Sequence, residues 1–338
     1  MKKLRFAIAG ATGAVGTEIL RLLEARSLPV ETVRPLASER SVGASVRFRG
    51  EDVPVSVLGR DSFDGVDVAL FSCGASLSRE YAPAAVGAGA VVVDNSSAFR
   101  VDPAVPLVVP EINADALEGH RGIVANPNCT TIVTLMAVAP LAAVAGISSM
   151  RVASYQAASG AGARAMAELT SQTADVLAGR EATPVEFDQP IAFNVIPAIG
   201  SFRDDGTTTE ERKLTDESRR ILGRPDLRVS AVCVRVPVLR AHCAAVWLET
   251  ERPLTPERAR EVLAAAPGVK VVDEPARLAY PMPISAAGRS EVEVGRIRAD
   301  ESDSGPGSGM GLTFFVAGDQ LLKGAALNAV QIAERLFS

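Results

Sequence analysis

The chain lacks what several function classes require. Lys and Arg number 35 against 40 Asp and Glu, a formal net charge of −5, so there is no basic field for a nucleic-acid partner. No apolar run approaches the span of a bilayer, so no membrane partner is expected. The basic start at Lys2 and Lys3 runs into a short apolar stretch and a glycine loop, which is the pattern of a first strand rather than a signal peptide. Four cysteines (Cys73, Cys129, Cys233, Cys243) in 338 residues make no disulfide framework, and a reducing cytoplasm is the expected location. Cys233, His242 and Cys243 match no zinc pattern with a paired arm, so no metal is expected. Only two histidines are present, His120 and His242. There is no internal repeat of useful period.

What is there suits an ordinary globular protein. The composition is 47% apolar and 22% charged, and the length favours two domains. The first third alternates strands (4–9, 32–36, 67–72, 90–94, 105–109, 122–125) with helical stretches (15–25, 79–88). That alternation predicts a parallel, doubly wound sheet. Beyond a helix at 130–145, strands at 150–156, 228–236, 244–249 and 291–298 point to an antiparallel or mixed sheet in a second domain. Residues 301–311 read as an exposed loop, and 321–337 as an amphipathic helix.

Two loops carry the chemistry. Gly10-Ala11-Thr12-Gly13-Ala14-Val15-Gly16 follows the first strand and opens the first helix, the setting of a pyrophosphate site. After the second strand, Arg40 with Ser38 and Ser41 suits a 2′-phosphate, whereas Glu39 suits a ribose hydroxyl; the balance favours NADP over NAD. The second loop, Asn126-Pro127-Asn128-Cys129-Thr130-Thr131, places a cysteine at the first turn of a helix with Asn128 as N-cap. Helix amides and dipole there stabilise a thiolate. The hexapeptide alone leaves two readings open, a covalent nucleophile or a small buried hydrophobe.

Other candidates are consistent with that site. His242, between two apolar strands, is the expected base for a cysteine nucleophile, or else a hydrogen-bonded structural histidine. Arg235 lies on an apolar strand and calls for an anion, either a substrate carboxylate or an internal acid. Arg100 could take a phosphate. Glu210 and Lys213 share one helix face, which a solvated helix end would also explain.

Together these segments resemble the aspartate-semialdehyde dehydrogenases, nearly end to end. The resemblance runs through the glycine loop, Asn95 to Arg100, Asn126 to Thr131 and Tyr155-Gln156-Ala157-Ala158-Ser159-Gly160-Ala161-Gly162. It continues through Cys233 to His242, Val294 to Arg298 and Lys323 to Glu334. It implies a glyceraldehyde-3-phosphate-dehydrogenase-like fold: an N-terminal Rossmann-type doubly wound parallel sheet (1–128, NADP-binding), a second α+β catalytic and dimerisation domain (129–320), and a C-terminal helix (321–338) returning to the first domain.

The resemblance implies NADP-dependent, reversible reductive dephosphorylation of L-aspartyl 4-phosphate to L-aspartate 4-semialdehyde, a step toward lysine, methionine and threonine. Cys129 would form a thioester, His242 act as acid and base, and Gln156 orient the substrate. Arg235 would hold the substrate carboxylate, Glu210 its ammonium, and Arg100 with Lys213 the phosphate. Gly10, Thr12, Gly13, Ala14, Val15, Gly16, Ser38, Arg40 and Ser41 would hold the coenzyme phosphates, with Ser159, Gly160 and Gln320 near the nicotinamide. A homodimer or tetramer is implied. Three positions depart from common relatives: Ala241 for glycine, Cys243 for serine and Gln320 for asparagine. The rival readings are an N-acetyl-γ-glutamyl-phosphate reductase, whose cysteine loop typically reads Pro-Gly-Cys-Tyr, and a catalytically silent relative.

Overall fold

Strand β1 (Leu4–Ala9) is buried at five of its six positions, the burial expected of a central parallel strand covered on both faces. It pairs in parallel with β2 (Val30–Ala37). A short hairpin, β3 (Ser45–Phe48) and β4 (Glu51–Pro54), stands apart from the main sheet, and β5 (Ser56–Val57) extends its edge. The chain then crosses to the other side of β1, where β6 (Val68–Phe71), β7 (Val91–Asp94) and β8 (Ile123–Ala125) complete an all-parallel sheet of order β5-β2-β1-β6-β7-β8. Helices α1 (Ala14–Ala25), α2 (Ala75–Gly87) and α3 (Pro110–Asn113) belong to the same unit. The computed structural model describes residues 2–303 and 309–337, so residues 304–308 of the loop expected at 301–311 lie outside the described residues.

The chain divides into two compact units, residues 1–128 with 325–338, and residues 129–324. The C-terminal helix (Leu327–Phe337) belongs to the first unit. Glu334 pairs with Arg26 of α1 through two bonds of 2.7 Å, and the Asn328 amide donates to the Val108 carbonyl at 2.9 Å. The helix expected over 321–337 begins instead as a π-helical turn at Leu322–Ala326. The strand expected at 105–109 is not a strand: only Leu107 bridges to Ala125, because Pro106 lacks an N–H and Pro110 starts α3.

The second unit opens with α4 (Cys129–Ala145). It is apolar all round and buried along most of its length, as such a helix must be. Its sheet is mixed, of order β10-β9-β11-β14-β13-β12: β9 (Ile147–Gln156), β10 (Arg228–Arg235), β11 (His242–Thr250), β12 (Val269–Val271), β13 (Val292–Ala299) and β14 (Gly311–Gly318). Only the outer pairs β10–β9 and β12–β13 run parallel. Helices α5 (Ala163–Leu177), α6 (Thr209–Ile221), α7 (Pro256–Ala265) and α8 (Pro283–Ala286) fill the connections.

Candidate active site

In the first unit the crevice lies where the strand order reverses, at the carboxyl ends of β1 and β6. Gly10 has a φ of +91°, and a Cβ there would lie 2.4 Å from the Ser72 carbonyl oxygen; at Gly16 it would lie 2.2 Å from the Gly10 carbonyl. Only glycine therefore lets β1, β6 and α1 converge this closely. The result is a cavity of about 590 Å³ lined by Gly10, Thr12, Gly13, Ser38, Glu39 and Arg40. Ser41 does not line it, but its hydroxyl is 3.5 Å from that of Thr12. Ala14, Val15 and Gly16 form the first turn of α1 behind the loop and do not line the cavity.

Glu39 and Arg40 both reach the cavity wall, so geometry alone does not choose between a ribose hydroxyl and a 2′-phosphate. Leu58, Leu77 and Tyr81 add an apolar wall that the sequence did not single out. The shape, the glycine floor and the helix start suit a dinucleotide. Cys73 also lines this cavity, but burial pushes its thiol up to about 11, so it stays protonated.

Arg100 is in this first unit and is buried. Its Nε donates to the Asn126 carbonyl at 2.9 Å and its Nη2 to the Asn95 carbonyl at 2.6 Å. The turn beneath it is set by buried Asp94, which accepts from the Ser96 amide and hydroxyl and from Ser78 Oγ. His120 accepts from the Gly122 amide within its own loop.

In the second unit Cys129 is the first residue of α4 and is partly buried. The other two thiols of this unit, Cys233 and Cys243, are each pushed up to about 12 by burial. A Cβ on Gly324 would lie 2.9 Å from the Cys129 Cβ, so a glycine is what leaves the cysteine its space.

Four predicted residues gather at the ends of β9, β10 and β11. Gln156, the last residue of β9, donates from Nε2 to Ser154 Oγ at 3.3 Å and to Glu210 Oε1 at 3.4 Å. Glu210 is in the first turn of α6 and also accepts from Lys213 Nζ at 3.1 Å. The capping box of Thr208 and Glu211 starts that helix, and Glu211 further accepts the Cys233 amide of β10 at 3.1 Å. This ties the Glu210 turn to the strand that carries Arg235.

Arg235 ends β10. Its Nη1 donates to the Ala157 carbonyl at 2.7 Å, and its guanidinium lies 5.9 Å from the centroid of the Phe187 ring. Burial lowers its pKa, while charge on Cys129 and Glu210 pulls it back up, so these groups share one electrostatic environment. His242 begins β11 and is fully buried. Its Nδ1 accepts the Ala157 amide at 3.1 Å, and its Nε2 has no hydrogen-bond partner among the described residues. Burial first, and then the Arg235 charge, holds its pKa well below the usual value.

A Cβ on Gly160 would lie 2.9 Å from both Arg235 Nη1 and His242 Nε2, so glycine is what lets the backbone pack directly against both side chains. The Gln320 amide is engaged at both ends: its oxygen accepts the Ala241 amide at 2.9 Å, and its nitrogen donates to Ser159 Oγ. Ala241 stands at a φ of +76°, where a glycine would sit without strain. Asp319, which sequence reasoning missed, is fully buried and accepts from Arg240 Nε and the Gly288 amide, each at 2.6 Å.

Comparison with known proteins agrees with this architecture. The family model described as semialdehyde dehydrogenase, NAD binding domain matches residues 5–120, and that described as semialdehyde dehydrogenase, dimerisation domain matches 138–323. The chain is 48% identical to an aspartate-semialdehyde dehydrogenase of Synechocystis sp. over 333 residues, 98% of this chain and 97% of the relative. It is 46% identical to that of Bacillus subtilis over 341 residues, with 98% and 97% covered. Among solved structures, aspartate semialdehyde dehydrogenase II of Vibrio cholerae, complexed with ASA, superposes with a TM-score of 0.94 at 42% identity, covering 99% of this chain and 98% of that one.

Proposed function

The chain belongs to the aspartate-semialdehyde dehydrogenase family, and from that premise we propose that it converts L-aspartyl 4-phosphate and L-aspartate 4-semialdehyde reversibly, with NADP and through a thioester on Cys129. One observation carries the chemistry. Among the described residues, the cysteine at the start of α4 shares its electrostatic surroundings with the buried Arg235, and Arg235 and His242 pack together against Gly160.

Cys129, as a thiolate at the start of α4, attacks the acyl carbon; the C–S bond forms as the C–O bond to phosphate breaks. NADP(H), when bound, supplies or accepts the hydride that interconverts thioester and aldehyde. Arg235 holds the substrate α-carboxylate, which answers its need for a buried counter-charge. Glu210 takes the substrate ammonium, Gln156 orients the acyl group, and Arg100 with Lys213 receives the phosphate. Gly10, Thr12, Gly13, Ser38, Arg40 and Ser41 hold the coenzyme, with Ala14, Val15 and Gly16 presenting the helix start to its pyrophosphate. Ser159, Gly160 and Gln320 would serve its nicotinamide end, as the family resemblance implies; the bond between Gln320 and Ser159 supports their grouping.

The match to a dimerisation domain supports a homodimer, and the family supports a cytoplasmic role in lysine, methionine and threonine synthesis. Among the described residues no helix is long and apolar enough to cross a membrane.

The deciding assay follows NADP+ reduction with L-aspartate semialdehyde and phosphate, beside NAD+ and N-acetyl-glutamate semialdehyde. Turnover with the aspartate aldehyde, abolished in Cys129→Ser, is the expected result. Turnover with the acetylated glutamate aldehyde instead moves the protein to the sister reductase, and silence with both from folded protein leaves a catalytically silent relative.

A further inference from the structure

The backbone ladder between β11 and β14 ends at the pair His242–Gly318. One step beyond it, side chains take over. The Asp319 carboxylate accepts Arg240 Nε at 2.6 Å, and the Gln320 oxygen accepts the Ala241 amide at 2.9 Å. Two consecutive residues after β14 thus hold the two consecutive residues that lead into His242. Ala241 stands at a φ of +76°, which a residue with a side chain adopts when its neighbours hold it there. Asp319 is fully buried and accepts three backbone amides besides Arg240. Its Oδ2 takes that of Gly288 at 2.6 Å, and its Oδ1 those of Leu321 and Leu322 at 3.0 and 3.3 Å. Its own carbonyl accepts the Leu322 and Gly324 amides at 3.1 and 3.2 Å, which closes the turn whose Gly324 packs against Cys129.

We propose that Asp319 is the positioning residue for the Gln320 carboxamide, and through it for the nicotinamide end of the coenzyme site. This rests on the reading above that Gln320 serves that end. A glutamine side chain is long and flexible, so its amide is precise only where the segment that carries it and the segment it bonds are both fixed. Asp319 fixes both. Its bonds to the Leu321 and Leu322 amides set the turn that carries Gln320, and its bond to Arg240 sets the segment that presents the Ala241 amide. The Gln320 oxygen is then committed to Ala241, which leaves its nitrogen directed at Ser159 Oγ. A neutral amide could not replace the carboxylate, since its NH2 would face N–H donors. With no exposed surface, Asp319 has no access to coenzyme or substrate, and it acts through Gln320.

Two readouts test this. The first needs no activity: hydrogen exchange resolved to the Ala241 amide, in protein without coenzyme. Asp319→Asn and Gln320→Ala should each speed that exchange at least about tenfold. The second is a kinetic cycle of the two single variants and the double. Each single variant should raise the KM for NADP+ about tenfold, the loss of one buried hydrogen bond, and leave the KM for the aspartate aldehyde within about twofold of wild type. The double variant should be no worse than Gln320→Ala alone, because Asp319 then has nothing left to position. Effects that multiply in the double variant, an equal rise in both KM values, or unchanged Ala241 exchange in Asp319→Asn overturns the inference. A Gln320→Ala enzyme with quickened exchange and an unchanged KM for NADP+ overturns the nicotinamide reading instead, and the role given to Asp319 falls with it. If Asp319→Asn fails to fold, Arg240→Met, altered at the partly exposed end of the pair, takes its place in both readouts.

Discussion

Gly160 is the residue on which the second unit's site depends most closely. A single methyl there meets Arg235 and His242 at 2.9 Å, and neither can retreat, since both are buried and bonded to Ala157. Gly160→Ala should lose about 1–3 kcal/mol of stability through overpacking and about 100-fold or more in kcat/KM, because small displacements of catalytic groups are that costly. Unfolding scans beside steady-state rates would check it, and a fully active variant would mean that the packing at Gly160 does not set these groups. The second residue-scale prediction concerns His242 and acid. Its folded pKa lies well below the free value of 6.5, so below that pH the unfolded chain binds a proton that the native one refuses. Stability from this residue is therefore whole above about 6.5 and lost as pH falls, by up to about 1.4 kcal/mol per unit for one proton. Urea titrations from pH 7 to 5 should show a shallower decline in His242→Gln than in wild type, and equal slopes would contradict the burial argument. Much of this was visible in the sequence: Cys129, Gln156, Arg235 and His242 were all named there. Ala157 appears there only inside a longer segment and with no role, because it acts through its backbone N–H and C=O, which any residue type supplies. Asp319 was missed since a lone carboxylate after a strand carries no signal until Arg240 and the Gly288 amide are seen to converge on it.

Among elements, α6 links sequence to site most directly. Thr208 caps it, and the Glu211 carboxylate accepts both the Thr208 amide at 2.6 Å and the Cys233 amide at 3.1 Å. Thr208→Ala should cost about 1 kcal/mol through the lost cap. Glu211→Gln should cost more, because one of its two buried acceptor sites becomes a donor facing an N–H. Since Glu210 sits on the same turn, both changes should raise KM for the aspartate aldehyde more than they lower kcat. Denaturant unfolding beside substrate titration would separate the effects. The strand–helix alternation of the first sheet was legible because its central strands β1, β6 and β7 are short, largely apolar runs. Helix α5 was not legible, and the reason is physical. Its buried positions include Glu168 and Gln172, polar side chains that hold the loop after the helix: Glu168 accepts the Val185 amide, and Gln172 the Ile191 and Ala192 amides. Its inward face therefore mixes these polar side chains with Ala165 and Leu169, and only those two apolar residues mark it in the sequence. The segment 105–109 erred the other way, since an apolar run between prolines looks like a strand but has too few donors to pair as one.

At the scale of the whole molecule, the sheet of the second unit has a face that is partly exposed among the described residues. Register places Val232, Ala153 and Ala245 side by side across β10, β9 and β11, with Trp247 beside Arg151 on the same face and Phe315 beside Ala245. Tyr155 and Phe315 rings lie 6.0 Å apart there, and Val232 is 52% exposed. The opposite face, with Met150, Val152, Val246 and Leu248, is fully buried. A sheet face turned to water usually carries polar side chains, so one that shows Val232, Tyr155 and Phe315 calls for a partner. The dimerisation-domain match makes a second copy of this chain the expected one. Val232→Arg would place a charge at the centre of that face and, in a twofold assembly, meet its own copy or its near neighbours across the interface. Sedimentation should find the wild type dimeric and Val232→Arg monomeric at micromolar concentration, with the buried core and hence the circular dichroism retained. A variant that remains dimeric would move the interface elsewhere, and the exposed Phe193 and Phe202 of the segment before α6 would be the next surface to test.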